Sequence, residues 1–310
     1  MESVLVIGGI NADIKGYPKD SLLTRDSNPG YINISPGGVG RNIAENIAKM
    51  GAETYLAGFV GKDVFGGFVI EKTAGAGVNV SLVQEKDRST GIYLSVAEKS
   101  NEMFVAVSDM ELTDKIDYSY IDYIFNYAMH INNIIVDTNI DYRVIKYILS
   151  KSNAMNKKVF IAGVSKKKNK NLLKIKNDFI DLFVCNMGEM NYIMDNKKIY
   201  NIIDNAERIN SFLENNFTNV GEILVTASEK GVIRFSDGKY EIFETNVTED
   251  IVDSNGAGDS FFSAYVYSKI NNFDLGKSIL FSQKIASETL KIKETVLSSE
   301  KICEIIDNIK

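Results

Sequence analysis

Six apolar runs of strand length punctuate the chain, and most intervals between them carry helical patterns. The runs are SVLVI at 3–7, ETYLAGFV at 53–60, NNIIV at 132–136, KVFIA at 158–162, DLFVC at 181–185 and EILVT at 222–226. A strand that is apolar on both faces must be covered on both, as helical crossovers cover a parallel sheet. The intervening sets Ile43, Ile47 and Met50, then Val144, Tyr147 and Ile148, then Ile209, Phe212 and Leu213 recur at helical spacing. Together they predict an α/β fold: a doubly wound, mostly parallel sheet with helices on both faces. The 310 residues suit one domain spanning 1–310.

Two segments break this rhythm. Residues 14–35 are polar and turn-rich, with Pro18, Pro29 and Gly30. Residues 89–107 (STGIYLSVAEKSNEMFVAV) alternate apolar and polar positions around an expected turn at Glu98–Asn101, the pattern of an antiparallel hairpin with one wet face. As insertions between α/β units, the two are expected to combine into a small β-sheet lid over the mouth of the large unit. Its apolar face would lie against ligand, against the large unit or against a second copy, and a homodimer through the lid is expected. A further hairpin is expected in GVIRFSDGKYEIFE (231–244), turned by Ser236, Asp237 and Gly238.

Charge and composition exclude several functions. A net charge of −6 is the wrong sign for gripping a nucleic-acid polymer, which takes a basic stripe. The one basic run, SKKKNKNLLKIK (165–176), is read as a solvated helix start, so a small-molecule ligand is expected. No apolar run is long enough to span a bilayer, and MESVLVIGGINAD lacks a basic flank and a cleavage site. The expected compartment is the cytoplasm, with no membrane partner. Cys185 and Cys303 are read as buried reduced thiols, and the single histidine, His130, as structural.

Chemistry concentrates in VDSNGAGDSFFSAYVY (252–267). Gly256, Ala257 and Gly258 lead into an apolar-patterned helix, and small residues there leave the first backbone N–H groups bare, an anion site reinforced by the helix dipole. Asp259 falls in the first turn beside it. A carboxylate so placed would repel a phosphate that was merely bound. It makes sense if a hydroxyl lies between them, giving its proton to the aspartate while the amides hold the transferred phosphoryl group. A capping aspartate is the plainer alternative. A second glycine cluster, SPGGVGRNIAENIAKMG (35–51), also opens a helical pattern. Neither fits G-x-x-x-x-G-K-[ST], the first strand ends in GGINAD and not in G-x-G-x-x-G, and protein-kinase signatures are absent.

In chain order, Asn11 and Asp13 follow the first strand, GGVGRN lies at 37–42, NMGE at 186–189, VTASEKG at 225–231 and DSNGAGD at 253–259. This set resembles the ribokinase-like (PfkB) carbohydrate kinase family over nearly the whole chain. The resemblance implies in-line phosphoryl transfer from ATP to an alcohol, with Asp259 as general base and Gly256, Ala257 and Gly258 as the anion hole. It implies that Asn11, Asp13, Gly38 and Asn42 hold the acceptor's sugar, with Asn139 in VDTN a further contact. It places nucleotide at Asn186, Thr226, Ser228 and Gly231, and Mg²⁺ at Glu189 through water, although a helix cap would equally account for the Asn186 and Glu189 pair. A monovalent cation, K⁺, is implied near Asp253. Ser228 stands where the family usually has glycine and Asn255 where threonine is common. Asn28, Tyr93 and Ser165 are weaker candidates for a base or lid contact, with ordinary turn or hairpin positions the simpler reading, and Arg41 is read as an exposed helix residue. The words DIKGYP (13–18), SNPGYINISPGGVGRNIAENIAKMG (27–51) and GVSKKK (163–168) are similar to a nucleoside-phosphorylating branch of the family. Other sugar or nucleoside acceptors, and a sensor without turnover, are the alternatives.

Overall fold

The computed structural model describes residues 2–99, 103–195, 202–245 and 250–309. Its strands are β1 (Ser3–Ile7), β2 (Asn11–Pro18), β3 (Gly30–Gly37), β4 (Glu53–Gly61), β5 (Asn79–Lys86), β6 (Gly91–Ala97) and β7 (Met103–Asp109), followed by β8 (Asn133–Asp137), β9 (Lys158–Ala162), β10 (Leu182–Asn186), β11 (Ile223–Thr226), β12 (Val232–Ser236) and β13 (Lys239–Phe243). All six apolar runs are strands of one sheet, ordered β13-β12-β11-β10-β9-β8-β1-β4-β5. From β11 to β5 every neighbour pairs in parallel, whereas β12 and β13 add an antiparallel edge. The chain order reverses at β1, between β8 and β4, which makes that point the crevice where open α/β sheets take ligands.

The strand β1 shows why the sheet must be covered twice. Leu5 and Ile7 enter one apolar layer with Ile121, Ile124, Ile145 and Ile148 from the helices Tyr118–Tyr127 and Tyr142–Ala154. Val4 and Val6 enter the opposite layer with Ile43 and Ile47 from the helix Val39–Lys49, and with Phe261, Phe262 and Tyr265 from the helix Ala257–Ile270. Each such side chain, fully removed from water, contributes roughly 1.5–3 kcal/mol before its loss of freedom is counted. Both glycine motifs open helices in this second layer, and packing there brings the motifs together.

A separate sheet of order β3-β2-β6-β7 forms from the two insertions. Its first strand begins at Asn11, ahead of the expected boundary at residue 14, so Asn11 and Asp13 belong to the lid and not to a loop after β1. Of the expected turn at 98–101, residues 100 and 101 lie outside the described residues. Register sorts the sheet into two chemistries, since alternate residues take opposite faces. Asp13 pairs with Ser35 and Tyr93, while Ile14 pairs with Ile34 and Leu94, and Leu94 in turn with Val107.

The hairpin β12–β13 turns through Asp237 and Gly238, both left-handed at φ 53° and 70°, as a two-residue turn with the right twist requires. The strand β5 escapes the sequence pattern because it is an edge strand carrying Asn79, Ser81, Gln84 and Glu85. Cys185 is buried as expected, but Cys303 is exposed, lying on the outer side of the helix Ser299–Asp307. No helix among the described residues is long and apolar enough to cross a membrane.

Candidate active site

The site is assembled at the carboxyl ends of β1, β8, β10 and β11. After β1 the chain runs through Gly8 and Gly9, and the N-terminus of the Val39–Lys49 helix presses onto that turn. A Cβ at Gly40 would sit 2.7 Å from Gly8 Cα, and one at Gly38 would run into the Gly9 carbonyl and lie 2.9 Å from Asn11 Oδ1. Gly38 also adopts φ +100°, closed to most side chains. In this loop the glycines therefore serve helix-to-strand approach. Asp137, at the end of β8, seals the junction: it is fully buried and accepts hydrogen bonds from Gly9 N at 2.7 Å and Asn139 N at 2.8 Å. Burial pushes its carboxyl above the usual range against those bonds.

That packing delivers Asn42 to Asp259. Asn42 Nδ2 donates to Asp259 Oδ2 at 2.9 Å. Its Oδ1 accepts from Arg41 Nη1 at 2.7 Å and from Thr295 Oγ1 at 3.2 Å. Two donors on Oδ1 leave the amide one orientation, with its N–H aimed at the carboxylate. Burial pushes the Asp259 carboxyl up to about 7; the Asn42 bond and Arg41 oppose this, while Asp137 and Asp13 add to it. Arg41 is not the exposed residue expected from the sequence. It is 3% exposed, also donates to Pro36 O at 2.9 Å, and pairs with Glu45, whose other oxygen takes Lys49 Nζ at 2.6 Å. Its burial follows from the glycine-lined approach, which leaves the first turn of the helix no route to water.

Asp259 stands in the first turn of the Ala257–Ile270 helix, behind a left-handed Gly256 at φ 82°. A Cβ at Gly256 would meet Thr295 Cα at 2.7 Å, so that glycine is demanded by the fold. No side chain caps this helix, and a Cβ at Gly258 would meet no atom within 4 Å. Bare amides beside open space are what an incoming phosphoryl group needs. On the small sheet, Asn11 Nδ2 donates to Asp13 Oδ1 at 2.6 Å; burial raises the Asp13 carboxyl, whose charge is felt at Asp259.

The nucleotide candidates lie apart from this centre. A cavity of about 350 Å³ is lined by Asn186, Gly188, Thr226, Ser228 and their neighbours. Ser228 holds φ 51°, the left-handed backbone that explains why glycine would be at home there. Gly231 closes the turn against the Phe243 carbonyl and is not among the cavity's walls. Asn186 and Glu189 form a reciprocal capping box, Glu189 N to Asn186 Oδ1 at 2.9 Å and Asn186 N to Glu189 Oε2 at 3.1 Å. Burial raises the Glu189 carboxyl. Among the described residues no three His, Cys, Asp or Glu side chains converge; the pair is a helix cap, and a Mg²⁺ placed there would be held mainly by water and phosphate. At Asp253 the fit fails: Lys15 Nζ lies 2.6 Å from Oδ2, and Asn255 N donates to Oδ1 at 2.9 Å.

Asn139 is reached by Lys168, whose Nζ lies 3.2 Å from its carbonyl and 3.3 Å from Oδ1. The basic run is thus not simply a solvated helix start, because one of its lysines turns inward. Asn28 closes its own loop through Leu23 N at 2.8 Å and Leu23 O at 3.0 Å. Tyr93 sits on the Asp13 face of the lid with its hydroxyl 3.4 Å from Met103 Sδ. Ser165 stands at the head of the short helix Lys166–Lys170. Sequence reasoning passed over Asp137, Lys15 and Lys168. The acid that ends the apolar run NNIIVD was the available signal for Asp137.

Comparison with known proteins supplies the family. The chain is 26% identical to the pseudouridine kinase of Escherichia coli (strain K12), over 98% of its length and 96% of that protein's. It is also 26% identical to the guanosine-inosine kinase of Exiguobacterium acetylicum, over 97% and 99%. The structure of Arabidopsis thaliana ribokinase complexed with ribose and ATP superposes with a TM-score of 0.80 at 18% identity, covering 98% of both chains. The pfkB family carbohydrate kinase model matches residues 1–302, and the chain belongs to that family.

Proposed function

We propose that this member of the pfkB family transfers the γ-phosphoryl group of ATP to the 5′-hydroxyl of pseudouridine, giving pseudouridine 5′-phosphate. The observation that carries the reading is Asp259, a carboxylate raised towards neutrality, oriented by Asn42 and set beside the uncapped amides of Gly256–Gly258. In the reaction the hydroxyl oxygen attacks phosphorus in line with the leaving oxygen of ADP, and its proton passes to Asp259. The amides hold the charge on the transferring group.

Asn11, Asp13 and Asn42 hold ribose hydroxyls from the lid and the first helix, and Gly38 lets that helix press onto the Gly9 turn so that the three converge. Asn139 is a further contact to the acceptor. ATP lies along Asn186, Thr226 and Ser228, with Gly231 shaping the turn. Glu189 holds the magnesium through water, and the ion offsets phosphate charge when bound. Preference for pseudouridine is supported by the words DIKGYP, SNPGYINISPGGVGRNIAENIAKMG and GVSKKK and by the E. coli relative. The apolar outer face of the lid supports a homodimer, and the reaction is placed in the cytoplasm.

The test is transfer from labelled ATP to a panel of pseudouridine, uridine, ribose, adenosine, inosine and a ketohexose. Pseudouridine should lead by about tenfold or more in kcat/KM. Equal rates on ribose or uridine remove the substrate and leave the kinase. Nucleoside binding without any turnover replaces the enzyme by a sensor.

A further inference from the structure

Lys15 occupies a place that lysines rarely take. It lies on β2, on the same face as Asp13, and is 5% exposed. The partner that its ammonium meets is far away in sequence: the Asp253 carboxylate, 238 residues on. A buried ammonium is costly unless paired, and so is the carboxylate it meets. Both oxygens of Asp253 are engaged, one by the ammonium at 2.6 Å and the other by Asn255 N at 2.9 Å. The expected monovalent cation at Asp253 thus finds its charge already matched by the chain itself.

The two partners belong to different parts of the molecule. Lys15 is a residue of the lid sheet. Asp253 heads the loop that runs through Asn255 to Gly256, and its own N–H, like that of Val252, is held by Leu290 O at the end of the Leu275–Thr289 helix. The bond therefore fixes the strand carrying Asn11 and Asp13 against the loop that leads to Gly256–Gly258. Acceptor contacts and phosphoryl contacts are brought into one register by a single pair.

We propose that the Lys15 ammonium is a built-in cation at Asp253, which registers the lid strand against the phosphoryl loop and makes transfer independent of any monovalent metal ion. Lys15 is on this view a positioning residue. The rate arm of its test rests on the kinase reading, whereas the unfolding arm does not.

The test compares the unmodified chain and Lys15→Met in potassium, sodium and tetramethylammonium chloride at equal ionic strength. The unmodified chain should melt within about 1 °C and turn over within about twofold across the three salts. Lys15→Met should lose about tenfold in kcat in tetramethylammonium. It should recover part of that loss in potassium, with a melting temperature that rises saturably with potassium, because the vacated carboxylate now takes the ion. Asp253→Asn placed in that background should abolish the potassium response, which a merely structural lysine would not produce. A potassium-specific rise in rate or melting temperature of the unmodified chain overturns the proposal, as does full activity of Lys15→Met in every salt. If Lys15→Met fails to fold, the salt comparison on the unmodified chain decides alone. If the unmodified chain turns nothing over, the kinase reading fails and the melting curves still decide the role of Lys15.

Discussion

Asn42 donates to Asp259 at 2.9 Å while Arg41 and Thr295 together fix its amide from the other side, at 2.7 and 3.2 Å. The carboxylate is thereby aimed before any substrate arrives, which is the form that preorganised proton transfer takes. Asp259→Asn keeps the shape and removes the base. Its kcat should fall by about 10²–10⁴ while the acceptor's KM stays within a few-fold. Steady-state kinetics on the purified variant checks this, and a variant that kept most of its rate would exclude Asp259 as base.

The raised Asp259 carboxyl gives two pH signatures. A base works deprotonated, so kcat/KM of the unmodified enzyme should climb with pH and level off above about 7. Asn42→Ala removes the hydrogen bond that opposes the rise, and should move this limb to higher pH. For stability the sign runs the other way. The folded carboxyl titrates near 7 and the unfolded one near its ordinary 3.8, so between those values the folded state binds more protons. The group's contribution is present below the unfolded value and is lost as pH rises towards 7. Asp259→Asn should therefore raise the melting temperature relative to the unmodified chain at pH 8 and change it little at pH 4. Thermal unfolding at the two pH values gives the comparison.

Gly256 and Gly258 sit two residues apart and should respond oppositely to alanine. Gly256 is left-handed at φ 82° with Thr295 Cα 2.7 Å from where its Cβ would stand. Gly256→Ala should destabilise by about 1–2 kcal/mol from the backbone alone, with the collision added. Gly258 has no atom within 4 Å of that position and lies in a helix. Gly258→Ala should fold at least as stably as the unmodified chain, yet lose activity, because the methyl group fills the space meant for the phosphoryl group. Melting temperature and kcat measured side by side separate the two; an active Gly258→Ala would place the phosphoryl group elsewhere.

Arg41 marks where reading the sequence stopped short. Strand-length apolar runs exposed the large sheet because burial on both faces leaves so little choice of residue, and GAGD singled out Asp259 as the candidate base because a carboxylate beside bare amides needs a reason. Arg41 and Lys15 were illegible for the opposite cause: each is a charged residue in an amphipathic or alternating segment, and only the tertiary approach of another element buries it. The edge strand β5 was missed since its polar side is solvated. Burial makes Arg41 testable. Arg41→Met leaves Glu45 with Lys49 as its remaining partner and frees the Asn42 amide, so stability should fall by about 1.5–3 kcal/mol, the loss of charged hydrogen bonds and not of a whole buried pair. Its kcat should fall as well, and denaturant unfolding with kinetics on the folded fraction reads both.

The outer face of the lid carries the last prediction. Ile32, Ile34, Leu94, Val105 and Val107 share that face by register, and Ile32 and Val107 are 70% and 63% exposed. An apolar sheet face of this kind is costly to leave in water, and contiguous exposed patches mark interaction sites. A second copy is the occupant proposed here, because lid on lid would bury two such faces at once, and a stable pair takes roughly 800 Å² from each partner. The unmodified chain should sediment as a dimer. Ile34→Glu combined with Leu94→Glu, on neighbouring strands either side of Ile14, should sediment as a monomer with the large unit's melting transition intact. A monomer in the unmodified chain at every accessible concentration would leave this face without a second copy.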